Sequence, residues 1–415
     1  MIPVVATAAA LVMGLSGCFG GVVDPSAQFS PVDAPLAEDL SAGLQGVLDQ
    51  AVALSGSSGG VAGVWAPWAG EWTAASGTQD FGENPPRMTK GTGFRLATVT
   101  TEITCTVLLR LVDQGELQLD DPVSKYVDWI PKLDGITLEQ LCRHTSGLAD
   151  YYPVLRASFG ANPGRVWPAN ELLANGMALN RIGPPGEQVR ESRTGILLLA
   201  FALERRTGKT WDELAQQYVF GPLGLEDTSV PAATVTEHAG VMGGYSSITP
   251  TGSVDCAVLL DDTEASSSMG GAAAGAISTL EDARALSEAF ATGALLSERT
   301  ERAQWNTVPL GGDAPAWQSA GVGGLQYGPM RGTAGETAGA LTAAFTDPAS
   351  GLTVVVALNN STPGPAFVRE VAFALASLAS KAVPAAGGEQ PLIELPWSAD
   401  QATAKMQELG VCPKA

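Results

Sequence analysis

The sequence predicts an α/β domain plus an all-α part, with an antiparallel sheet flanked by helices and divided along the chain by a helical insertion. Strand patterns fall into two groups, one at residues 60–78 and the other between residues 319 and 360. The long stretch between them carries mostly helical patterns. The chain has 415 residues, of which 45% are hydrophobic, so it can bury a sizeable core.

The N-terminal part predicts a helix, a strand pair and a second helix. Residues 36–55 repeat apolar residues at spacings of three and four, which is typical of an amphipathic helix. Residues 60–66 and 71–78 predict two strands on either side of Pro67. Residues 98–114 predict the next helix.

The insertion and the C-terminal part follow the same logic. Residues 137–143 and 194–207 carry helical patterns. Residues 340–360 predict a β-hairpin, because turn residues at 347–351 separate two apolar runs. Residues 365–380 predict a closing apolar-rich helix.

The charge balance argues against a nucleic-acid partner. The formal net charge is −20 and the isoelectric point is near 4.4. Binding to phosphate backbones needs clustered Lys and Arg, which this composition does not offer. An acidic solvated surface accounts for the excess, and the charge alone does not identify a substrate.

The N-terminus indicates export. Residues 1–17 form a short apolar run, too short to span a bilayer but typical of a signal peptide. The run ends in Leu-Ser-Gly and then Cys18, which resembles the lipobox of bacterial lipoproteins. That resemblance implies a lipid anchor at Cys18 on the outer face of the bacterial cytoplasmic membrane, with residues 18–35 as a flexible tether. The alternative is an ordinary signal peptide in which Cys18 is incidental.

Four further cysteines permit disulfides in an exported chain. They are Cys105, Cys142, Cys256 and Cys412. Three connectivities are open, and Cys105 and Cys142 could pair or remain buried free thiols. No C-x-x-C or Cys/His cluster occurs, so we expect neither a metal site nor a cofactor.

The order of segments resembles the serine β-lactamase and penicillin-binding-protein superfamily, in particular its branch of class C β-lactamases, D-alanyl-D-alanine carboxypeptidases and esterases. The resemblance rests on FRLAT at 94–98, LVDQGELQLDDPVSKYV at 111–127, ITLEQLCRHTSGLADY at 136–151, PPGE at 184–187, the run at 195–230, GGAAAGAISTLEDARAL at 270–286 and the hairpin at 340–360. Any one of these is a weak match, but their shared order is specific.

This resemblance implies a β-lactamase/transpeptidase-like domain at residues 36–380. Its sheet would come from residues 36–95 and 319–380, and its helical part from residues 98–300. Residues 381–415 would then be a C-terminal extension.

The first catalytic motif of that superfamily is S-x-x-K on a helix, where one turn brings the lysine amine beside the serine hydroxyl. The matching positions here read Thr98-Val99-Thr100-Thr101. Thr98 could replace the serine as nucleophile, but Thr101 cannot replace the lysine, because a hydroxyl is not a base at neutral pH. No S-x-x-K or T-x-x-K occurs anywhere in the chain.

The other two motifs are altered as well. The second, Y-x-N, is matched by Glu191-Ser192-Arg193, which follow the turn Pro185-Gly186-Glu187. The third, K-T-G or H-x-G on a core strand, is matched by Thr333-Ala334-Gly335, with Met330-Arg331-Gly332 as the neighbouring register. All three motifs have therefore lost their proton-transfer groups.

Other routes to catalysis are poorly supported by the sequence. His144 lies in a segment that the superfamily retains and is interpreted as a structural hydrogen-bonding residue, and His238 lies in a variable loop. Ser58 stands in a G-x-S-x-G match, but between a helix and a strand rather than at the strand-to-helix elbow that this motif requires. Glu191 could serve Thr98 as a base only if burial raised its pKa.

We therefore expect a pseudoenzyme. The alternative is a divergent hydrolase of carboxypeptidase, β-lactamase or esterase type that uses Thr98 as its nucleophile. A cleft lined by Thr98, Thr101, Glu191, Arg193 and Thr333 would bind a ligand such as a peptidoglycan stem peptide, or a small ester or amide. Arg193 would hold a ligand carboxylate. In the competing interpretation, Glu191 and Arg193 pair with each other or face solvent.

Overall fold

The computed structural model describes residues 21–249, 252–385 and 388–413. The helices are α1 (Glu38–Leu54), α2 (Thr100–Asp113), α3 (Leu138–Cys142), α4 (Tyr152–Ala161), α5 (Ala169–Ala178), α6 (Arg193–Thr207), α7 (Trp211–Ala215), α8 (Gly221–Leu223), α9 (Gly271–Ala274), α10 (Leu280–Thr292), α11 (Glu298–Gln304), α12 (Pro365–Ala379) and α13 (Ala399–Leu409). The strands are β1 (Gly59–Ala66), β2 (Gly70–Gly77), β3 (Phe94–Arg95), β4 (Tyr245–Ser246), β5 (Leu260–Asp261), β6 (Ile277–Ser278), β7 (Val308–Pro309), β8 (Gln318–Ala320), β9 (Leu325–Tyr327), β10 (Met330–Thr337), β11 (Ala340–Thr346) and β12 (Thr353–Leu358).

The main sheet is antiparallel and is assembled from the two ends of the domain. Its strand order is β2-β1-β12-β11-β10-β9-β8-β7. The N-terminal hairpin joins the C-terminal strands through β1 and β12, where Val61 pairs with Ala357. Helices α2 to α11 lie between these two parts in the sequence. The predicted fold class and the division of the sheet by a helical insertion are therefore confirmed.

Both faces of the central strands are buried. On β12, Val354 and Val356 pack in one core with residues of α1 and α12, whereas Val355 and Ala357 pack in the other core with the helical insertion. Successive side chains of a strand point to opposite faces, so an uninterrupted apolar run is what a doubly covered strand requires. Burial of each such side chain contributes about 1.5–3 kcal/mol.

The N-terminal segment does not behave as the predicted tether over its whole length. Val23 N–H donates to the Pro222 carbonyl at 2.8 Å, and Val32 N–H donates to the Pro67 carbonyl at 2.9 Å. The backbone N–H of Glu71 on β2 donates to the Ala34 carbonyl at 2.9 Å. The prediction of a flexible tether is therefore wrong for these residues, because their backbone groups are satisfied by the domain. Cys18 and residues 1–17 lie outside the described residues.

The C-terminal extension packs on the domain that it follows. The Trp397 ring stacks on Phe373 of α12, with 4.0 Å between the ring centroids, and its indole N–H donates to the Phe373 carbonyl at 3.0 Å. Helix α13 buries Ala402 and Met406 in the same core as α1 and α12. The sequence boundary near residue 380 is thus not a packing boundary.

The described residues form two disulfides. Cys105–Cys142 joins α2 to α3, and Cys256–Cys412 ties the C-terminal segment to the loop between β4 and β5. The alternative of buried free thiols is therefore wrong for Cys105 and Cys142. Within the described ranges, no helix has the length and apolar character needed to cross a bilayer, and no cluster of His, Cys, Asp and Glu side chains could hold a metal ion.

Candidate functional site

A cavity of about 570 Å³ lies where the start of α2 meets the outer part of the sheet. Its lining consists of Thr98, Thr101, His144, residues 187–191, residues 309–314, residues 323–325, Thr333 and Ala334. Four of the predicted site residues, Thr98, Thr101, Glu191 and Thr333, are therefore brought together, and Gly335 lies against Thr98. Arg193 is not part of the lining.

Thr98 sits in a short 3-10 turn that runs directly into α2. Its side chain is only 2% exposed, and its Oγ1 has no hydrogen-bond partner among the described residues. The preceding residue, Ala97, has a positive φ of 51°, a conformation that strains a residue with a Cβ atom. The hydroxyl is thus held in a fixed position without a proton acceptor beside it.

The close approach between this turn and β10 explains Gly335. A Cβ atom at position 335 would lie 1.6 Å from Thr98 Oγ1, so no other residue fits without moving the turn. Arg331, in the alternative register, donates to the Ala291 carbonyl at 3.0 Å and lies over the Trp305 ring. The geometry therefore favours Thr333-Ala334-Gly335 as the match to the third motif.

Thr101 has a structural partner. Its Oγ1 donates to the Ala273 carbonyl at 3.2 Å, so the hydroxyl links α2 to α9. None of the lysines within the described residues lines the cavity. The position of the family's basic amine is therefore filled by a hydroxyl that is already engaged.

His144 lines the cavity, which sequence reasoning did not anticipate. Its ring Nδ1 accepts a hydrogen bond from Ser192 N–H at 3.3 Å, and its backbone carbonyl accepts from Arg190 N–H at 2.7 Å. Burial lowers the pKa of His144, although Glu191 and Asp150 oppose the shift. A neutral ring whose Nδ1 accepts a hydrogen bond carries its proton on Nε2. The predicted structural role is supported, and the ring offers a donor rather than a base.

Arg193 is buried and both terminal nitrogens of its guanidinium have protein partners, so its assignment as a carboxylate anchor is corrected. Its guanidinium pairs with Asp150 at 2.7 Å, donates to the Glu336 carbonyl at 2.9 Å and lies over the Tyr152 ring. Burial alone would lower the pKa of Arg193, but Asp150, Glu191 and Glu336 hold it above its ordinary value. The residue joins α6, α4 and β10. Of the competing interpretation, the Glu191–Arg193 pair is wrong, because Arg193 pairs with Asp150, whereas Glu191 does face solvent.

The remaining sequence candidates lie away from the cavity. His238 belongs to a smaller, separate pocket beside Arg95. Ser58 donates to the Thr78 carbonyl at 3.0 Å and accepts from Asn359 at 2.6 Å, which is a structural role. Neither residue touches the Thr98 hydroxyl.

Three residues in or beside the cavity were missed from the sequence: Arg190 and Asp313 belong to its lining, and Glu102 lies next to it. Arg190 lies immediately before the second-motif positions that begin at Glu191, and it is exposed at the cavity wall. Asp313 comes from a loop that has no motif. Glu102 lies one turn beyond Thr98 and is completely buried beside Thr333. The signal for Glu102 was in the sequence, because a glutamate at this spacing shares the helix face of Thr98.

Burial raises the pKa of Glu102 to about 8, and the Thr333 hydroxyl opposes that shift only in part. The two side chains are close, but they do not form a hydrogen bond of normal geometry. At neutral pH the Glu102 carboxyl is therefore mostly protonated and uncharged. In that form it cannot take a proton from Thr98.

The chain resembles proteins of known activity over most of this domain. The model of a family described as Beta-lactamase matches residues 44–378. The chain is 34% identical over 141 residues to the D-alanyl-D-alanine-carboxypeptidase/endopeptidase AmpH of Escherichia coli K12, which covers 32% of this chain and 36% of AmpH. It is 32% identical over 211 residues to the esterase EstB of Burkholderia gladioli, which covers 48% of this chain and 53% of EstB. These alignments thus span about a third to a half of each relative.

The fold is shared more widely than the sequence. A D-stereospecific amidohydrolase from a Streptomyces species superposes with a TM-score of 0.68 at 25% identity, and the match covers 78% of this chain and 95% of the amidohydrolase. The element order described above is therefore that of a known architecture.

Proposed function

This chain belongs to the beta-lactamase family, and we propose that it is a non-catalytic member that binds a ligand in the cavity beside Thr98. One observation carries the proposal: the Thr98 hydroxyl is buried without a hydrogen-bond partner, and no described lysine lines the cavity. Nucleophilic catalysis needs a base within hydrogen-bond reach of the hydroxyl. Loss of that activation can lower the rate of a coupled serine site by about 10⁶-fold.

The proposed ligand is a short peptide with a terminal carboxylate, such as a peptidoglycan stem peptide. AmpH bears a name that includes D-alanyl-D-alanine-carboxypeptidase, which supports this class of ligand. Arg190 replaces Arg193 as the proposed carboxylate anchor, because it lines the cavity and its side chain is exposed. A guanidinium can hold a carboxylate through two parallel hydrogen bonds.

Covalent labelling tests the absence of catalysis. Purified protein is incubated with a fluorescent penicillin and with a fluorophosphonate probe, and intact-mass spectrometry reads the products. We expect no adduct on the wild type. A stoichiometric adduct that disappears in Thr98→Ala would instead establish the divergent hydrolase that uses Thr98.

Calorimetric titration tests the binding. We expect D-alanyl-D-alanine peptides to bind the wild type and to lose at least tenfold in affinity with Arg190→Ala. Arg87→Ala, an exposed arginine outside the cavity lining, is the matched control. No heat with any of the peptides, or an Arg190→Ala variant that binds like the wild type, would contradict the proposed anchor.

We also propose that the protein is held by a lipid on Cys18. Export and lipidation would place the cavity in the bacterial cell envelope, where peptidoglycan peptides occur. Cys18→Ser should move the full-length protein from the membrane fraction to the soluble fraction of its host. A variant that stays in the membrane fraction would remove this part of the proposal.

A further inference from the structure

The floor of the cavity, between the start of α2 and strand β10, collects side-chain oxygens that form no hydrogen bond of normal geometry with the described residues. Thr98 and Glu102 lie one helical turn apart on the same face. Thr333 and Gly335 are two apart on β10 and so share one face of the strand. Thr98 packs on Gly335 and Glu102 lies beside Thr333, so helix and strand run past each other in register.

These oxygens are buried and unsatisfied. Thr98 Oγ1, Thr333 Oγ1 and both carboxyl oxygens of Glu102 form no hydrogen bond of normal geometry with the described residues, although Thr333 and Glu102 interact with each other. Thr98 and Thr333 line the cavity, whereas Glu102 is 0% exposed and lies next to Thr333 without being part of the lining. Most buried polar groups in native proteins are paired, so three such side chains grouped beside a cavity are candidate partners for a ligand.

We propose that this floor is a subsite for a primary ammonium group, and the proposal rests on the ligand-binding function proposed above. An alkylammonium has three N–H donors and no acceptor. The two threonine hydroxyls and the Glu102 carboxylate can accept those three hydrogen bonds, and the carboxylate also balances the charge. A buried charge is tolerated only when it is paired and hydrogen-bonded, which this arrangement provides.

The charged residues of the cavity wall fit the same ligand. Among the described lining residues, Glu187, Glu191 and Asp313 are acidic, whereas Arg190 is basic. The wall thus carries more negative than positive charge, which favours a ligand with a cationic group. Arg190 would bind the carboxylate of the ligand, and the floor would bind its ammonium group. The ligand would then be a zwitterionic amino acid or a short peptide with a free amino end.

Binding of an ammonium should release a proton. The pKa of Glu102 is near 8 in the free protein because of burial, with Thr333 as the contributing neighbour and no charged side chain of the described residues adding to the shift. The carboxyl is therefore mostly protonated at pH 7, whereas an ammonium beside it favours the ionised form. Close to one proton should leave for each amine that binds at pH 7.

A small amine tests the subsite without any peptide. Methylammonium chloride should raise the Tm of the wild type above its value in potassium chloride of equal concentration. Glu102→Gln, which mimics the protonated carboxyl in shape, should abolish the difference, whereas Glu298→Gln, an exposed glutamate, should keep it. Equal shifts with methylammonium and potassium, or an unchanged response in Glu102→Gln, would overturn the subsite.

A pair of peptides separates the subsite from the binding function as a whole. D-alanyl-D-alanine should bind at least tenfold more tightly than its N-acetyl derivative, which lacks the amine. Titration in buffers of different ionisation enthalpy should show proton release for the free peptide alone, and Glu102→Gln should remove both effects. Equal affinities for the two peptides would overturn the ammonium subsite but leave the proposed ligand-binding function standing. Binding of methylammonium without binding of either peptide would support the subsite but overturn the proposed peptide-binding function.

Discussion

The residues that set the chemistry of the cavity are Thr98, Thr101 and Glu102. The Thr101 hydroxyl donates its hydrogen bond to the Ala273 carbonyl, and the Thr98 hydroxyl has no acceptor for its proton among the described residues. Glu102 could act as a base only after ionisation, which its burial opposes. Together these properties of Thr98, Thr101 and Glu102 favour ligand binding over acyl transfer.

The raised pKa of Glu102 makes a prediction about stability. A carboxyl that ionises near pH 4.5 in the unfolded chain and near pH 8 in the folded protein stabilises the unfolded state increasingly between these values. Stability linked to this group is therefore fully present below pH 4.5 and declines as the pH rises to 8. Glu102→Gln should raise the free energy of unfolding by about 3 kcal/mol at pH 7, with little difference near pH 4.

Urea denaturation between pH 4 and pH 8 measures this effect. Glu298→Gln is the control, because that side chain is 87% exposed and should behave alike at every pH. A Glu102→Gln variant whose advantage does not change with pH would show that ionisation is not its cause.

At the level of elements, the sequence predicted regular structure better than the site. Helices α1, α2, α6 and α12 and the β11–β12 hairpin lie within a few residues of their predicted positions, because each has a long apolar pattern. The role of Arg193 could not be predicted in this way. Its partner Asp150 is 43 residues away, and only the packing of α6 against the segment before α4 brings the two together. Asp313 could not be predicted either, because it reaches the cavity on a loop that has no periodic pattern of apolar residues.

The junction of α6, α4 and β10 depends on Arg193. Arg193→Met should lower the free energy of unfolding by about 3–5 kcal/mol, because it leaves Asp150 partly buried without its partner. Arg302→Met is the control: its pair with Glu298 is exposed, and its loss should cost less than about 1 kcal/mol. Chemical denaturation measures both. An Arg193→Met variant that keeps its stability but loses peptide binding would contradict this structural role and support Arg193 as the ligand anchor.

At the scale of the whole molecule, the N-terminal and C-terminal parts of the described chain pack around one sheet. The N-terminal hairpin completes the sheet through β1 and β12, and the C-terminal segment returns to α1 and α12. Sequence patterns could place the strands of this sheet, but they could not show that residues beyond 380 belong to its packing. That information lies in contacts of Trp397 and α13 with α12, which are distant from any motif.

The Cys256–Cys412 disulfide should contribute strongly to the stability of this closed arrangement. It links residues 156 positions apart, so in the chain-entropy account it restricts the unfolded state by about 5 kcal/mol. Both cysteines lie near the surface, where serine is well tolerated. The double variant Cys256→Ser/Cys412→Ser should therefore lose about 3–5 kcal/mol in guanidinium denaturation, and limited proteolysis should cut first at the C-terminal segment. A loss below about 1 kcal/mol would mean that the stacking of Trp397 and the burial of α13 hold the segment without the covalent link.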